Sequence, residues 1–360
     1  MRSKLINYLF ITTTLCFSVL IASATSQKIK AEPITTRVII AQSNRDDRVY
    51  FSRGIQRIQS GNYQGAVADF TQVLQQNPRS AEAYLNRGLA LVRLKKYREA
   101  LQDFDRSIDI KSDLATAYFS RGITRTQLQD YQGAFNDYNQ ALLINPEYAE
   151  VYSHRGLIYN RLENYNGAIK DFTEALRLNP KQESASIYYH RGLAYTNLGD
   201  YENAIKDYNR ALQINPKWTQ VYINRALTYA YLEDYQKAIA DYNRALQIQP
   251  NNIEIYLSRA NLRLRNEDYP GAIADYTKVI QIKPNNAEAY YQRANVKSRM
   301  QDYQGAIDDY TQALKISPNL IDAYYNRGNL RLQLQDFDGA MADFQKASDI
   351  IQQPSPNINN

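Results

Sequence analysis

The chain has 360 residues, 44% of them hydrophobic, with 43 Lys and Arg against 37 Asp and Glu for a net charge of +6. Basic and acidic residues are interspersed, which argues against a nucleic-acid surface, where basic groups gather on one face. A single cysteine, Cys16, excludes an intrachain disulfide or a metal site built from several thiolates.

Residues 1–24 have the three-part form of a secretory signal: basic Met1-Arg2-Ser3-Lys4, an apolar stretch from Leu5 to Ala22, and small Ala22-Ser23-Ala24 before Thr25. Cleavage there predicts an exported, extracytoplasmic protein that lacks Cys16. The apolar stretch also approaches the length that spans a bilayer, so an uncleaved membrane anchor is the second reading, weakened by Asn7, Ser18 and three threonines. Leu15 before Cys16 is a poor fit to a lipoprotein signal. Residues 25–46 show no helical stripe, are broken by Pro33 and read as a linker.

From Asp47 to Pro354 the chain divides into nine copies of 34 residues: 47–80, 81–114, 115–148, 149–182, 185–218, 219–252, 253–286, 287–320 and 321–354. Glu183 and Ser184 interrupt the period once, and residues 355–360 form a short tail. Numbered within the copy, position 4 is always Tyr and position 20 always Ala, position 8 is Gly or Ala, and positions 17 and 24 are aromatic. Position 32 is Pro except at Ser112 and Gln352. At 100° per residue, positions 4, 8 and 11 share a face of one helix and 17, 20, 24 and 28 a face of a second, with 3 and 14 toward the same packed side. Small residues at 8 and 20 let the two helices approach, and the proline at position 32 stops the second. The spacing thus predicts an all-α chain of nine helix-turn-helix units.

This pattern resembles the tetratricopeptide repeat (TPR) family over residues 47–354. The resemblance implies an α-solenoid, a right-handed superhelix whose first helices line a concave groove, and a non-enzymatic role as a scaffold that binds a peptide or protein there. One departure stands out. Position 7, usually apolar in the family, is Arg in all nine copies (Arg53, Arg87, Arg121, Arg155, Arg191, Arg225, Arg259, Arg293, Arg327). A charge on the packed side needs a partner, and position 23 is always Asp (Asp69, Asp103, Asp137, Asp171, Asp207, Asp241, Asp275, Asp309, Asp343). Nine equal pairs predict a structural ladder that fixes register within or between copies.

The stripe opposite the packed face, positions 2, 5, 6, 9, 12 and 13, is the candidate groove lining. Position 6 bears a hydrogen-bonding side chain throughout, including Asn224, Ser258, Gln292 and Asn326, suited to pair with an extended backbone. The last three copies add Asn261, Asn295 and Asn329, with Tyr291 and Tyr325, Arg265 and Arg299, and acidic Glu254, Glu288 and Asp322 across the stripe. These eleven amide, hydroxyl, aromatic and Arg residues form the candidate binding site for a polar extended ligand. Earlier copies are more apolar, with Phe51, Leu89, Phe119, Ile123 and Leu157. The carboxylate clamp of chaperone-binding TPR domains needs a basic position 5, which never occurs here.

Catalytic signatures are missing: no GxSxG, P-loop, HExxH or dinucleotide fingerprint. His154 and His190, the only histidines, both at position 6 of adjacent copies, stand roughly 10 Å apart by helix packing distances, too far to share a metal. No cofactor and no metal are expected. A polar tail in place of a capping helix predicts an exposed flank at Met341, Phe344 and Ile350, the basis of an alternative reading as a self-associating or membrane-tethered assembly factor.

Overall fold

A computed structural model describes residues 47–179 and 185–352. The signal, linker, Glu183-Ser184 and tail lie outside them. The described residues form eighteen α-helices and no strand. The odd-numbered helices are α1 (47–59), α3 (Ala81–Arg93), α5 (Ala115–Gln127), α7 (Ala149–Arg161), α9 (Ala185–Asn197), α11 (Thr219–Tyr231), α13 (Ile253–Arg265), α15 (Ala287–Arg299) and α17 (Ile321–Gln333). The even-numbered are α2 (Tyr63–Gln76), α4 (Tyr97–Ile110), α6 (Tyr131–Ile144), α8 (Tyr165–Leu178), α10 (Tyr201–Ile214), α12 (Tyr235–Ile248), α14 (Tyr269–Ile282), α16 (Tyr303–Ile316) and α18 (Phe337–Gln352). Each copy therefore supplies one odd and one even helix, and the architecture is an all-α solenoid of helix-turn-helix repeats. The described residues fall into two compact parts, one ending at Lys96 and one beginning at Tyr97. In the second part α5 to α18 pack as seven hairpins, each also packed on the next.

Two local devices make each hairpin. The residue at position 15 takes the left-handed conformation, glycine at Gly61 and Gly199 but a side-chain-bearing residue at seven others, such as Glu233 (φ 58°) and Gln301 (φ 63°). The next residue, commonly Asp or Asn, caps the even helix: Asp302 accepts from the Gly305 amide and Asp234 from that of Lys237. Left-handed backbone costs an L-residue about 1–2 kcal/mol, partly offset by glycine's larger unfolded-state entropy. Gln301→Gly is therefore expected to stabilise repeat 8 by up to about 1 kcal/mol, and a melting temperature that falls instead would contradict this account of the turn.

The core of each hairpin is a ring against bare backbone. All nine Ala residues at position 20, Ala66 to Ala340, are fully buried, and so are the position-24 rings from Phe70 to Tyr310. A Cβ on Gly122 would stand 2.6 Å from the Tyr138 ring and one on Gly156 2.9 Å from Phe172, which is why position 8 stays small. Most position-14 residues, read from the wheel as packed, are instead exposed at the odd helices' C-terminal ends, 41% for Leu128 and 54% for Leu162, because the chain is already turning away there; Leu94 and Asn266 are half-buried.

The C-terminal flank also differs from expectation. Phe344 is partly buried, and Ile350 packs onto the cluster holding Tyr310 and Leu314. Of the three residues only Met341 stands open. Position 28, Leu or Ile in the first eight repeats, is Ser348 in the ninth, and Gln345, Lys346 and Asp349 are exposed beside it. Helix α18 thus carries polar residues on its end surface, and its exposed apolar side chains are Phe337, Met341 and Ile351.

Candidate binding groove

The groove is positioned by the Arg/Asp couple. In repeats 1 and 3 to 9 the guanidinium grips the Asp of its own hairpin two-pronged; in repeat 4, Arg155 Nε and Nη2 donate to Asp171 at 2.7 and 2.8 Å. The remaining nitrogen, Nη1, reaches back to position 25 of the preceding repeat. Arg87 donates to Thr71, Arg121 to Asp105, Arg155 to Asn139, Arg191 to Thr173, Arg225 to Asn209, Arg259 to Asn243, Arg293 to Thr277 and Arg327 to Thr311. Each Arg also lies over its own position-4 Tyr, with the guanidinium carbon 5.1–5.7 Å from the ring centre in all nine copies. The fixed fork of Arg makes this possible, since Lys offers no planar pair of donors.

Position 11 lies on the packed side, as the wheel expects, but carries a role that sequence reasoning missed. It is basic in five repeats, and Arg57, Arg125, Arg263, Lys297 and Arg331 join the same buried Asp as a second cation at 2.7–2.9 Å. In repeats 4 to 6 it is Tyr159, Tyr195 and Tyr229, leaving Asp171, Asp207 and Asp241 with one Arg each. Burial then outweighs the Arg191 and Arg225 hydrogen bonds and holds the Asp207 and Asp241 carboxyls above their usual range.

Adjacent odd helices touch directly, α7 with α9 and α9 with α11, so the stripe they carry is continuous. Two clefts open along it at the same register. One of about 400 Å³, between repeats 4 and 5, has walls of Leu157, Phe172 and Ile187 and includes both histidines. Burial lowers the pKa of His154 and of His190, so both are neutral imidazoles at pH 7. The other, about 500 Å³ and between repeats 6 and 7, is lined by Trp218, Ile223, Tyr242, Glu254, Ile255 and Ser258 among others.

Among the sequence-derived site residues, Ser258 lines the second cleft, and Asn224 donates to the Tyr189 hydroxyl at 3.0 Å. Several of the rest are tied to one another. Asn295 Oδ1 accepts from the Tyr310 hydroxyl at 2.5 Å and from Asn326 at 3.3 Å, while Asn326 also reaches Tyr291 at 3.4 Å. Gln292 accepts from Asn295 and donates to Glu288. Asn261 accepts from the Tyr276 hydroxyl at 3.1 Å. Burial pushes the Tyr276 and Tyr310 hydroxyls up to about 12, so they remain donors. Arg265, Arg299, Tyr325 and Asn329 stand exposed on the stripe, and Tyr325 leans on Phe344 with ring centres 6.0 Å apart. The late-repeat amides are therefore a preorganised polar floor, with these four as the open contacts. Sequence reasoning missed Trp218 and the position-24 tyrosines. Their signal was present in the Tyr/Phe choice at position 24, where only Tyr carries a hydroxyl to the stripe.

No cluster of three or more metal-ligating side chains occurs among the described residues, and no described helix is long and apolar enough to cross a membrane. Family profiles described as tetratricopeptide repeat match residues 51–115, 149–182, 185–217, 219–252 and 321–354, and one described as TPR repeat matches 124–163, 261–301 and 299–335. No curated protein matches the chain. Among solved structures, the C-terminal part of a TPR repeat-containing protein from Cytophaga hutchinsonii is 20% identical, with 66% of this chain and 97% of that one covered and a TM-score of 0.57. A tetratricopeptide repeat protein from Parabacteroides merdae is 22% identical over 70% of this chain and 99% of its own, with a TM-score of 0.50. The pilF protein of Pseudomonas aeruginosa is 18% identical over 61% and 99%, with a TM-score of 0.53. These likenesses concern the fold. Together with nine matching copies, their hairpin geometry and the profiles, they establish that the chain belongs to the tetratricopeptide repeat family.

Proposed function

We propose that the protein is an exported, non-enzymatic scaffold that holds an extended segment of a protein or peptide partner along the odd-helix stripe of repeats 4 to 9. The observation that carries this reading is a division of labour within each repeat. The Arg forks and buried rings hold the helices to one another, while the stripe keeps exposed Leu227 and Tyr325, exposed Arg265 and Arg299, and two clefts open. Mixed aromatic, amide and charged side chains on a rigid frame suit distributed recognition of a chain. Export rests on the three-part N-terminal sequence and the Ala22-Ser23-Ala24 site.

The test is a cross-linked pull-down from the extracytoplasmic fraction with the full chain and a Leu227→Glu/Tyr325→Glu variant. Both positions are about 40% exposed, so the helices should remain folded. A partner captured by the parent and lost by the variant is the expected result; equal capture by both would place binding elsewhere. N-terminal sequencing of the mature protein should begin at Thr25.

A further inference from the structure

The two clefts lie two repeats apart, and each sets apolar side chains beside one carboxylate, in the second cleft among polar residues such as Gln220 and Asn252. In the first, Leu157, Phe172 and Ile187 line the wall and Glu150 stands at the rim. In the second, Trp218, Ile223 and Ile255 line it with Glu254. Glu150 and Glu254 are both exposed in the first turn of an odd helix, and neither pairs with a cation among the described residues. The first cleft holds no cation, its imidazoles being neutral; the second has exposed Lys217 on its other side.

Apolar side chains set beside an unpaired carboxylate fit a side chain that is aliphatic along its stem and cationic at its tip. Lys and Arg have this form. An indole face adds attraction for the cation, and a carboxylate makes charge-assisted hydrogen bonds to it. An acidic anchor would meet Glu150 or Glu254 directly, and a purely apolar one would leave the carboxylate with no partner while covering it. Glu150 and Glu254 hold the same repeat position in repeats 4 and 7; with adjacent helices 8–10 Å apart, equivalent points three repeats distant are roughly 30 Å apart, about nine residues of extended chain at 3.3 Å each.

We propose that the groove recognises a basic extended segment through two Lys or Arg anchors about nine residues apart, one seated beside Glu150 and one beside Glu254. This rests on the groove-binding reading above and specifies its ligand. Trp218, the only tryptophan in the chain, sits in the second cleft and reports its occupancy by a change in emission.

The experiment is fluorescence anisotropy on the full-length protein with a labelled Gly/Ser/Ala peptide of about 14 residues carrying two lysines about nine residues apart. Glu150→Lys or Glu254→Lys is expected to weaken binding at least tenfold, and the pair about a hundredfold. Replacing both peptide lysines by Glu, or spacing them two residues apart, should lose at least tenfold. Glu163→Lys, the same charge change at an exposed turn, should leave affinity within twofold. Equal binding of the Lys and Glu peptides, or equal weakening by Glu163→Lys, overturns the anchors. A pull-down partner released by Leu227→Glu/Tyr325→Glu but retained by Glu150→Lys/Glu254→Lys would also overturn them and leave the groove reading standing. Retention by both variants would remove both.

Discussion

Asp275→Asn is expected to destabilise repeat 7 by about 3–5 kcal/mol, the usual cost of removing one partner from a buried ion pair. The carboxylate is 2% exposed and accepts from both Arg259 and Arg263, so the amide leaves two cations without their partner. Asp207→Asn should cost less than half as much. It strands one cation, Arg191, and Asp207 already has a folded-state pKa raised by burial. A raised folded pKa means that this group's contribution to stability is complete below its unfolded pKa and is lost as pH rises through the folded value. Acidification toward the carboxylate range therefore favours repeats 5 and 6 through Asp207 and Asp241, and a neutral side chain at 207 is correspondingly tolerated. Because a solenoid's stability is a sum over repeats and their interfaces, hydrogen exchange resolved by helix is the appropriate measurement beside the thermal melt. Equal loss of protection in α13/α14 of one variant and α9/α10 of the other would show that the second cation contributes nothing.

Phe172→Ala is expected to cost about 3–5 kcal/mol, the range for emptying a buried aromatic site. The ring is 1% exposed, fills the space left by Gly156 and stacks on His190 with centres 6.3 Å apart. Since it also forms a wall of the cleft between repeats 4 and 5, the variant should lose ligand affinity along with local stability. Phe344→Ala, at the partly exposed end of the solenoid, should cost clearly less. Chemical denaturation of the two variants checks the order, and a larger loss for Phe344→Ala would contradict the packing hierarchy.

The hairpins were legible because the Tyr at repeat position 4, the Ala at 20, the aromatic at 24 and the proline at 32 recur at constant spacing, and a helical wheel turns that spacing into two faces. The pairing of the Arg at position 7 with the Asp at position 23 was legible for the same reason: one buried charge, nine times, with one recurring opposite. Its third arm was not. Thr, Asn and Asp alternate at position 25, and only the geometry shows that each accepts from the next repeat's Arg. The second cation at position 11 was missed because a wheel gives direction and not reach: Arg263 starts from the packed face and brings its guanidinium to Asp275. Position 14 failed for the complementary reason, as the wheel assumes a helix that has ended by Leu128. At the candidate groove, residue types on the stripe were readable, but which amides bind each other was not. Asn295 and Asn326 look like free peptide ligands in sequence and share one oxygen in the structure. The clefts escaped notice because each is built from three separate stretches, such as Trp218, Tyr242 and Ser258.

Hydrogen exchange of the full chain with and without its captured partner tests the central claim most directly. Groove binding predicts new protection confined to the odd-numbered helices, strongest in α7, α9, α11 and α13 around the two clefts, with α8, α10 and α12 unchanged. Protection that appears on the even-numbered helices and spares the odd ones would contradict it.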